Sequence, residues 1–225
     1  MLGRGCRLSR NGRSQSLRSD DCRQRQGRRS SRQSQHLYRV DRGLHLENDI
    51  RDFVLVGHSY GGTIIAKVAE AIPERIQRLV FWSAFVLMDG QCLFDETPQN
   101  VAISEDGARQ SGDDTYLPAF DLVRDAFFNT VSREDALRYY ARWSPQPMQP
   151  FRDRLDLKTF YGLPIPKSYL LCTEDIRVPM PERSWHPRFS NRLGRFRFVS
   201  MSGDHEALFT SPELLAQKLI EAGRP

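Results

Sequence analysis

Phe53-Val54-Leu55-Val56-Gly57-His58-Ser59-Tyr60-Gly61-Gly62, continued by Thr63-Ile64-Ile65-Ala66-Lys67-Val68-Ala69, joins a short apolar run to a Gly-x-Ser-x-Gly turn and then to a helical pattern. The first run is short and rich in β-branched residues, as a buried parallel strand should be. The second recurs at helical spacing until Pro73 stops it. By itself the motif is an ordinary glycine-rich turn. Between a strand and a helix it has a mechanical meaning: Gly57 and Gly61 let the two elements approach closely, and Ser59 sits on a strained turn with its hydroxyl exposed. Ser59 is the candidate nucleophile.

A serine hydroxyl is a poor nucleophile near neutral pH, so Ser59 needs a base, and the base needs an orienting acid. In a strand–elbow–helix setting these follow in the order Ser, Asp/Glu, His. Asp175, in Thr173-Glu174-Asp175, lies just past the apolar run Ser168-Tyr169-Leu170-Leu171-Cys172-Thr173. His205, in Gly203-Asp204-His205-Glu206, lies just past Phe196-Arg197-Phe198-Val199. In a parallel sheet the carboxyl ends of all strands open on one edge, so Ser59, Asp175 and His205 can converge from distant positions. Glu174 is the rival acid; Asp175 is favoured because the chain must turn away from the strand before a carboxylate can face the histidine. Asp204 is read as shaping the turn that presents His205. Of the other histidines, His36 is in the N-terminal tail, His45 in a helix, His58 locked in the elbow and His186 in an irregular stretch before Pro187. The Tyr60 N–H, directly after the nucleophile, is the expected oxyanion donor, with a second from a loop after an earlier strand. No His-Gly or Gly-Gly turn preceded by a strand is legible upstream of residue 53.

Around these residues the pattern is that of an α/β protein. Leu37, Val40, Leu44 and Leu46 give a weakly amphipathic helix ending near Asn48, and Arg78 to Ala84 reads as a second buried strand in a right-handed parallel crossover. Residues 89–166 lose strand character and read as an insertion with helices over Asp121–Asn129 and Ser132–Trp143, the latter opening on a Ser132–Asp135 cap. A last helix is predicted from Pro212 to Ala222, capped by Ser211, with Leu214, Leu215, Leu219 and Ile220 inward.

At 225 residues the chain suits one domain with a real core. Its formal charge of +5 belongs to a tail: residues 1–36 hold ten Arg, no Lys and two Asp, and the remainder is net −3. That tail has no aromatic residue and only Leu2, Leu8 and Leu17 as large aliphatics, so it is expected to be disordered. Arginines without interleaved aromatics predict no specific nucleic-acid binding. The longest apolar stretch, Leu79 to Met88, falls well short of the ~20 residues of a membrane span. With no secretory signal visible, a cytoplasmic location is expected. Cys6, Cys22, Cys92 and Cys172 lie too far apart for a zinc site and read as free thiols.

Val56-Gly57-His58-Ser59-Tyr60-Gly61-Gly62, Ser83-Ala84-Phe85-Val86 with Asp89-Gly90, Cys172-Thr173-Glu174-Asp175 and Asp204-His205-Glu206-Ala207-Leu208 together resemble the α/β-hydrolase superfamily, and within it bacterial esterases similar to plant methylesterases and hydroxynitrile lyases. The resemblance covers roughly residues 37–225. It implies a mostly parallel α/β-hydrolase sheet with a helical cap over about 89–166, no cofactor, no metal, and Ser59, Asp175 and His205 as nucleophile, acid and base. The lyases of that group typically carry Lys directly after the histidine; Glu206 stands here and would repel cyanide, which favours ester hydrolysis. His58 and the cap aromatics Phe127, Tyr139 and Trp143 are expected on the substrate pocket, with Phe128 and Tyr140 beside them; about half of the cap aromatics should be core.

Family members usually open with a strand and a His-Gly-type loop, where this chain has its arginine-rich tail. N-terminal strands therefore read as missing, which suggests a truncated or misread gene start and an exposed sheet edge open to a second copy. Two functions are expected: a serine carboxylesterase acting on a small apolar ester through an acyl-enzyme, or a catalytically impaired or ligand-binding protein of the same fold.

Overall fold

The computed structural model describes Gly43, residues 47–178 and residues 184–225. The expectations for the tail over 1–36 and for strands upstream of residue 47 lie outside the described residues, as does most of the helix expected around Leu37 to Leu46, of which Gly43 is described and helical.

Among the described residues four parallel strands form the sheet, in the spatial order β1 (Phe53–Ser59), β2 (Ile76–Ala84), β5 (Lys167–Cys172), β6 (Arg197–Met201). Helix α1 (Gly61–Ala71) connects the first two strands and packs on both. Side chains alternate across β2: Leu79 and Phe81 join one core with Leu55 and Tyr169 from the sheet and Ile65, Val68 and Ala69 from α1. Val80 and Trp82 face the opposite core, with Leu170, Cys172, Val199 and Met201 and the last helix, α8 (Pro212–Gly223), through Leu215 and Ala222. The sheet is thus covered on both faces, which is why its strands read as continuous apolar runs.

Between β2 and β5 the chain adds no strand to this sheet. It forms α2 (Leu93–Glu96), α3 (Pro98–Ser111), α4 (Phe120–Phe127), α5 (Arg133–Tyr140) and α6 (Gln149–Arg152), with a small antiparallel ribbon of β3 (Thr115–Tyr116) and β4 (Gln146–Pro147). The two helices expected here are present as α4 and α5, each shorter than the sequence pattern suggested; α2, α3, α6 and the ribbon were not anticipated. Ser132 caps α5 by accepting from the Asp135 N–H at 3.1 Å. After β6 come a single turn, α7 (Ala207–Thr210), and α8.

Three expectations are corrected. Ile220 is 66% exposed, so the inner face of α8 consists of Leu214, Leu215 and Leu219. Ser211 occupies the N-cap position of α8, but its hydroxyl makes no capping bond. At the elbow, close approach is demanded at Gly57 and Gly62 rather than at Gly61. A Cβ on Gly57 would stand 2.7 Å from the Gly61 carbonyl oxygen and one on Gly62 would stand 2.3 Å from that of Phe85, whereas one on Gly61 would meet nothing within 4 Å.

Candidate active site

Ser59 closes β1 with φ of +50°, a left-handed conformation rarely adopted outside glycine. The strain is held from both sides: the Ser59 carbonyl accepts from Phe85 N–H at 3.0 Å, and the Tyr60 carbonyl accepts from the Thr63 N–H at 2.9 Å and its hydroxyl at 2.8 Å. Tyr60 then sits at the start of α1, where backbone N–H groups have no acceptor within the helix.

Asp175 follows the end of β5 and His205 the end of β6, and the parallel register brings both to Ser59. His205 Nε2 lies 2.9 Å from Ser59 Oγ across 146 residues of sequence, and His205 Nδ1 lies 2.7 Å from Asp175 Oδ2. Glu174 is turned elsewhere: its Oε2 accepts from the Gly203 N–H at 2.6 Å, tying the β5 loop to the loop that carries His205. Asp204 is fully buried and accepts from the Thr130 and Thr210 hydroxyls at 2.6 and 2.8 Å and from the Glu206 N–H at 3.1 Å, so it fixes the turn that presents His205.

The Asp175 side chain is fully buried. Burial opposes its charge, yet the His205 imidazole beside it holds the carboxyl below its usual range. Three rings enclose His205: Trp185 stacked at 5.4 Å, Phe127 edge-on at 5.3 Å and His58 at 4.6 Å. His58 itself stacks on Trp82, and burial, reinforced by His205, pushes its pKa down to about 3. It is a neutral aromatic wall and adds no competing charge beside His205.

These groups open into a cavity of about 440 Å³. His58, Tyr60, Phe127, Trp143 and Glu206 line it. Tyr139 does not: it packs on Phe128 and Phe209 at 5.6 and 5.4 Å, behind the wall, because α5 must bury one face against α4. Phe128 is fully buried against the partly buried Tyr139, and the Tyr140 hydroxyl donates to the Pro118 carbonyl at 2.7 Å. Residues that carried no sequence signal also reach the wall, notably Asn100, Tyr116 and Arg177. Glu206 is partly buried there, and burial raises its carboxyl above the usual range.

Among the described residues no group of three or more His, Cys, Asp or Glu side chains is placed to hold a metal ion, and no helix is long and apolar enough to cross a membrane. Cys92 and Cys172 are buried free thiols; Cys172 accepts from Trp82 Nε1 at 3.2 Å, and burial pushes it up to about 11.

A model of the Alpha/beta hydrolase family matches residues 6–218. The chain belongs to the alpha/beta hydrolase family. An extracellular alpha/beta-hydrolase from a Paenibacillus species, described as sharing structural and functional homology with tobacco salicylic acid binding protein 2, is 39% identical and superposes with a TM-score of 0.81, over 84% of this chain and 78% of its own. A carbendazim-hydrolyzing esterase of Nocardioides is 27% identical over 78% of this chain and 73% of its own length. A chloroplastic Arabidopsis thaliana protein assigned as methylesterase 11 is 25% identical over 76% of this chain, which spans 46% of that plant protein's length. This alpha/beta hydrolase is therefore related to the plant methylesterases, with the mostly parallel sheet expected of the family.

Proposed function

We propose that this alpha/beta hydrolase is a serine carboxylesterase in which Ser59, His205 and Asp175 act as one unit on a small ester. The observation that carries the proposal is the continuous chain of contacts from Ser59 Oγ to His205 Nε2 at 2.9 Å and from His205 Nδ1 to Asp175 Oδ2 at 2.7 Å. His205 takes the Ser59 proton as the hydroxyl oxygen attacks the ester carbonyl, and Asp175 stabilises the imidazolium that forms. The Tyr60 N–H stabilises the oxyanion. His205 then returns the proton to the leaving alcohol, and water cleaves the acyl-enzyme by the same steps in reverse. Phe127, Trp143 and His58 offer apolar surface to the substrate. The names of the similar esterases and methylesterases support the class of reaction.

The proton transfer requires a neutral His205, since only a free imidazole nitrogen can accept the Ser59 proton. Glu206 beside His205 supports hydrolysis over cyanohydrin cleavage, since a carboxylate repels a departing cyanide. The test is a pre-steady-state assay with p-nitrophenyl butyrate beside Ser59→Ala and His205→Ala. A stoichiometric burst of nitrophenolate, lost in Ser59→Ala, is expected. A folded wild-type protein that turns over no ester and shows no burst would replace this reading by a non-catalytic one.

A further inference from the structure

Arg177 stands out among the charged groups of this molecule. It leaves β5 two residues past Asp175, and its backbone N–H donates to Asp175 Oδ1 at 2.9 Å, so its position is tied to that of His205. Its side chain lines the cavity. The guanidinium lies 4.7 Å from the centroid of the Phe127 ring, and the same ring meets His205 edge-on at 5.3 Å. The charge therefore stands one aromatic ring from the reacting atoms. Three other arginines of the insertion and its neighbours are neutralised: Arg152 by Glu105 and Asp114, Arg188 and Arg192 by Glu96. Among the described residues Arg177 makes no ion pair. With the Asn100 amide turned so that its oxygen faces the guanidinium, that oxygen accepts from the two Nη atoms at 3.1 and 3.0 Å, a neutral partner only.

Burial opposes the charge on Arg177, and the nearby Asp175 and Tyr116 only partly restore it. An arginine presents five N–H donors in a planar fork that matches a carboxylate in two-point contact. One fork facing a neutral amide and an aromatic face leaves donors and charge for an anion entering the cavity. Glu206, the other acidic or basic side chain on the wall besides the histidines, donates its backbone N–H to the Phe127 carbonyl at 3.3 Å, and the groups acting on its charge are His205, Asp204 and Asp175. Among the described residues Arg177 is thus the one guanidinium on the wall, and an acid on the substrate would be drawn to it.

We infer that Arg177, pinned by Asn100 and Phe127, is a subsite for a carboxylate on the substrate, so that the ester cleaved at Ser59 carries a free acid group remote from the scissile bond. The inference rests on the esterase reading of Ser59. It narrows the substrate class from apolar esters to acid-bearing ones with an apolar body.

Two matched pairs of substrates test it, with the acid on either half of the ester. Mono-p-nitrophenyl adipate is compared with p-nitrophenyl methyl adipate, and 4-carboxyphenyl butyrate with 4-(methoxycarbonyl)phenyl butyrate. In one pair the wild-type protein should prefer the charged member in kcat/KM by roughly ten- to a hundredfold, the range of a charged hydrogen-bonded contact. Arg177→Gln should collapse that ratio, chiefly through KM, and Arg177→Lys should restore part of it. No preference for the charged member in either pair, or a preference unchanged in Arg177→Gln, would overturn the subsite while leaving the esterase intact. If no ester is cleaved, the esterase reading fails, and calorimetry on Ser59→Ala still decides the subsite. Binding of mono-p-nitrophenyl adipate but not its methyl ester, lost on adding Arg177→Gln, supports it; equal or absent binding refutes it.

Discussion

Adjacent carboxylates at 174 and 175 have separate duties: Asp175 meets His205 Nδ1 at 2.7 Å, and Glu174 accepts a backbone N–H from Gly203. Both lie just past the end of β5, and the sequence favoured Asp175 without excluding Glu174. Asp175→Asn keeps the size but lets His205 adopt the wrong tautomer, so kcat on p-nitrophenyl butyrate should fall by about 10⁴-fold. Glu174→Gln retains an acceptor for Gly203 and should keep most of the activity; the reverse pattern in steady-state kinetics would exchange their roles. Glu206 offers a pH test. Its folded pKa is raised by burial, so the fold favours its protonated form. Its stabilising contribution is then present below the unfolded pKa and is lost as pH rises through the folded value. Glu206→Gln, fixed in the neutral form, should melt above the parent at about pH 8 and together with it at about pH 4. Thermal unfolding followed by circular dichroism reads the difference, and a gap of the same size at both pH values would contradict it.

The strand–turn–helix was legible as an element because its parts agree: an apolar run, glycines, a small serine and a helical repeat in unbroken order. Which glycine matters was not legible, since that depends on what lies opposite. Gly62 faces the Phe85 carbonyl at the end of β2, while Gly61 faces open space. Gly62→Ala should therefore cost about 1–3 kcal/mol or more by forcing the elbow away from β2. Gly61→Ala should be neutral or stabilising by up to about 1 kcal/mol. Urea unfolding of the two variants separates these, and equal midpoints would refute the assignment. Helix α3 escaped the sequence reading for a related reason. Its buried positions are Ser104 and Ala108, and its Ile103 is 47% exposed, so no large apolar stripe marks it. Tyr139 was misplaced because a helix pattern shows which residues share a face but not whether that face meets a core or a cavity.

Across the molecule, the insertion is fastened to the segment after β5 by one buried carboxylate. The Glu96 side chain is fully buried and pairs with Arg188 and with Arg192, the latter at 2.9 Å; Arg192 also donates to the Val86 carbonyl at 2.7 Å. Removing one member of such a group leaves the others charged and poorly paired, so Glu96→Gln should destabilise the protein by about 3–5 kcal/mol. Chemical denaturation measures this, and a loss under about 1 kcal/mol would mean that the three charges are not an essential tie. The sequence by itself determined the parallel α/β sheet, the elbow, and the order in which Ser59, Asp175 and His205 appear, because strand runs, glycine turns and strand-end residues are local patterns. Only the tertiary structure decided that Asp175 rather than Glu174 meets His205, that Tyr139 is core while Phe127 is wall, and that Arg177 stands over Phe127 without an ionic partner among the described residues. Each of those outcomes is a contact between segments far apart in the chain, and the distance between two side chains is set by how sheet and insertion pack, not by the spacing of their residues.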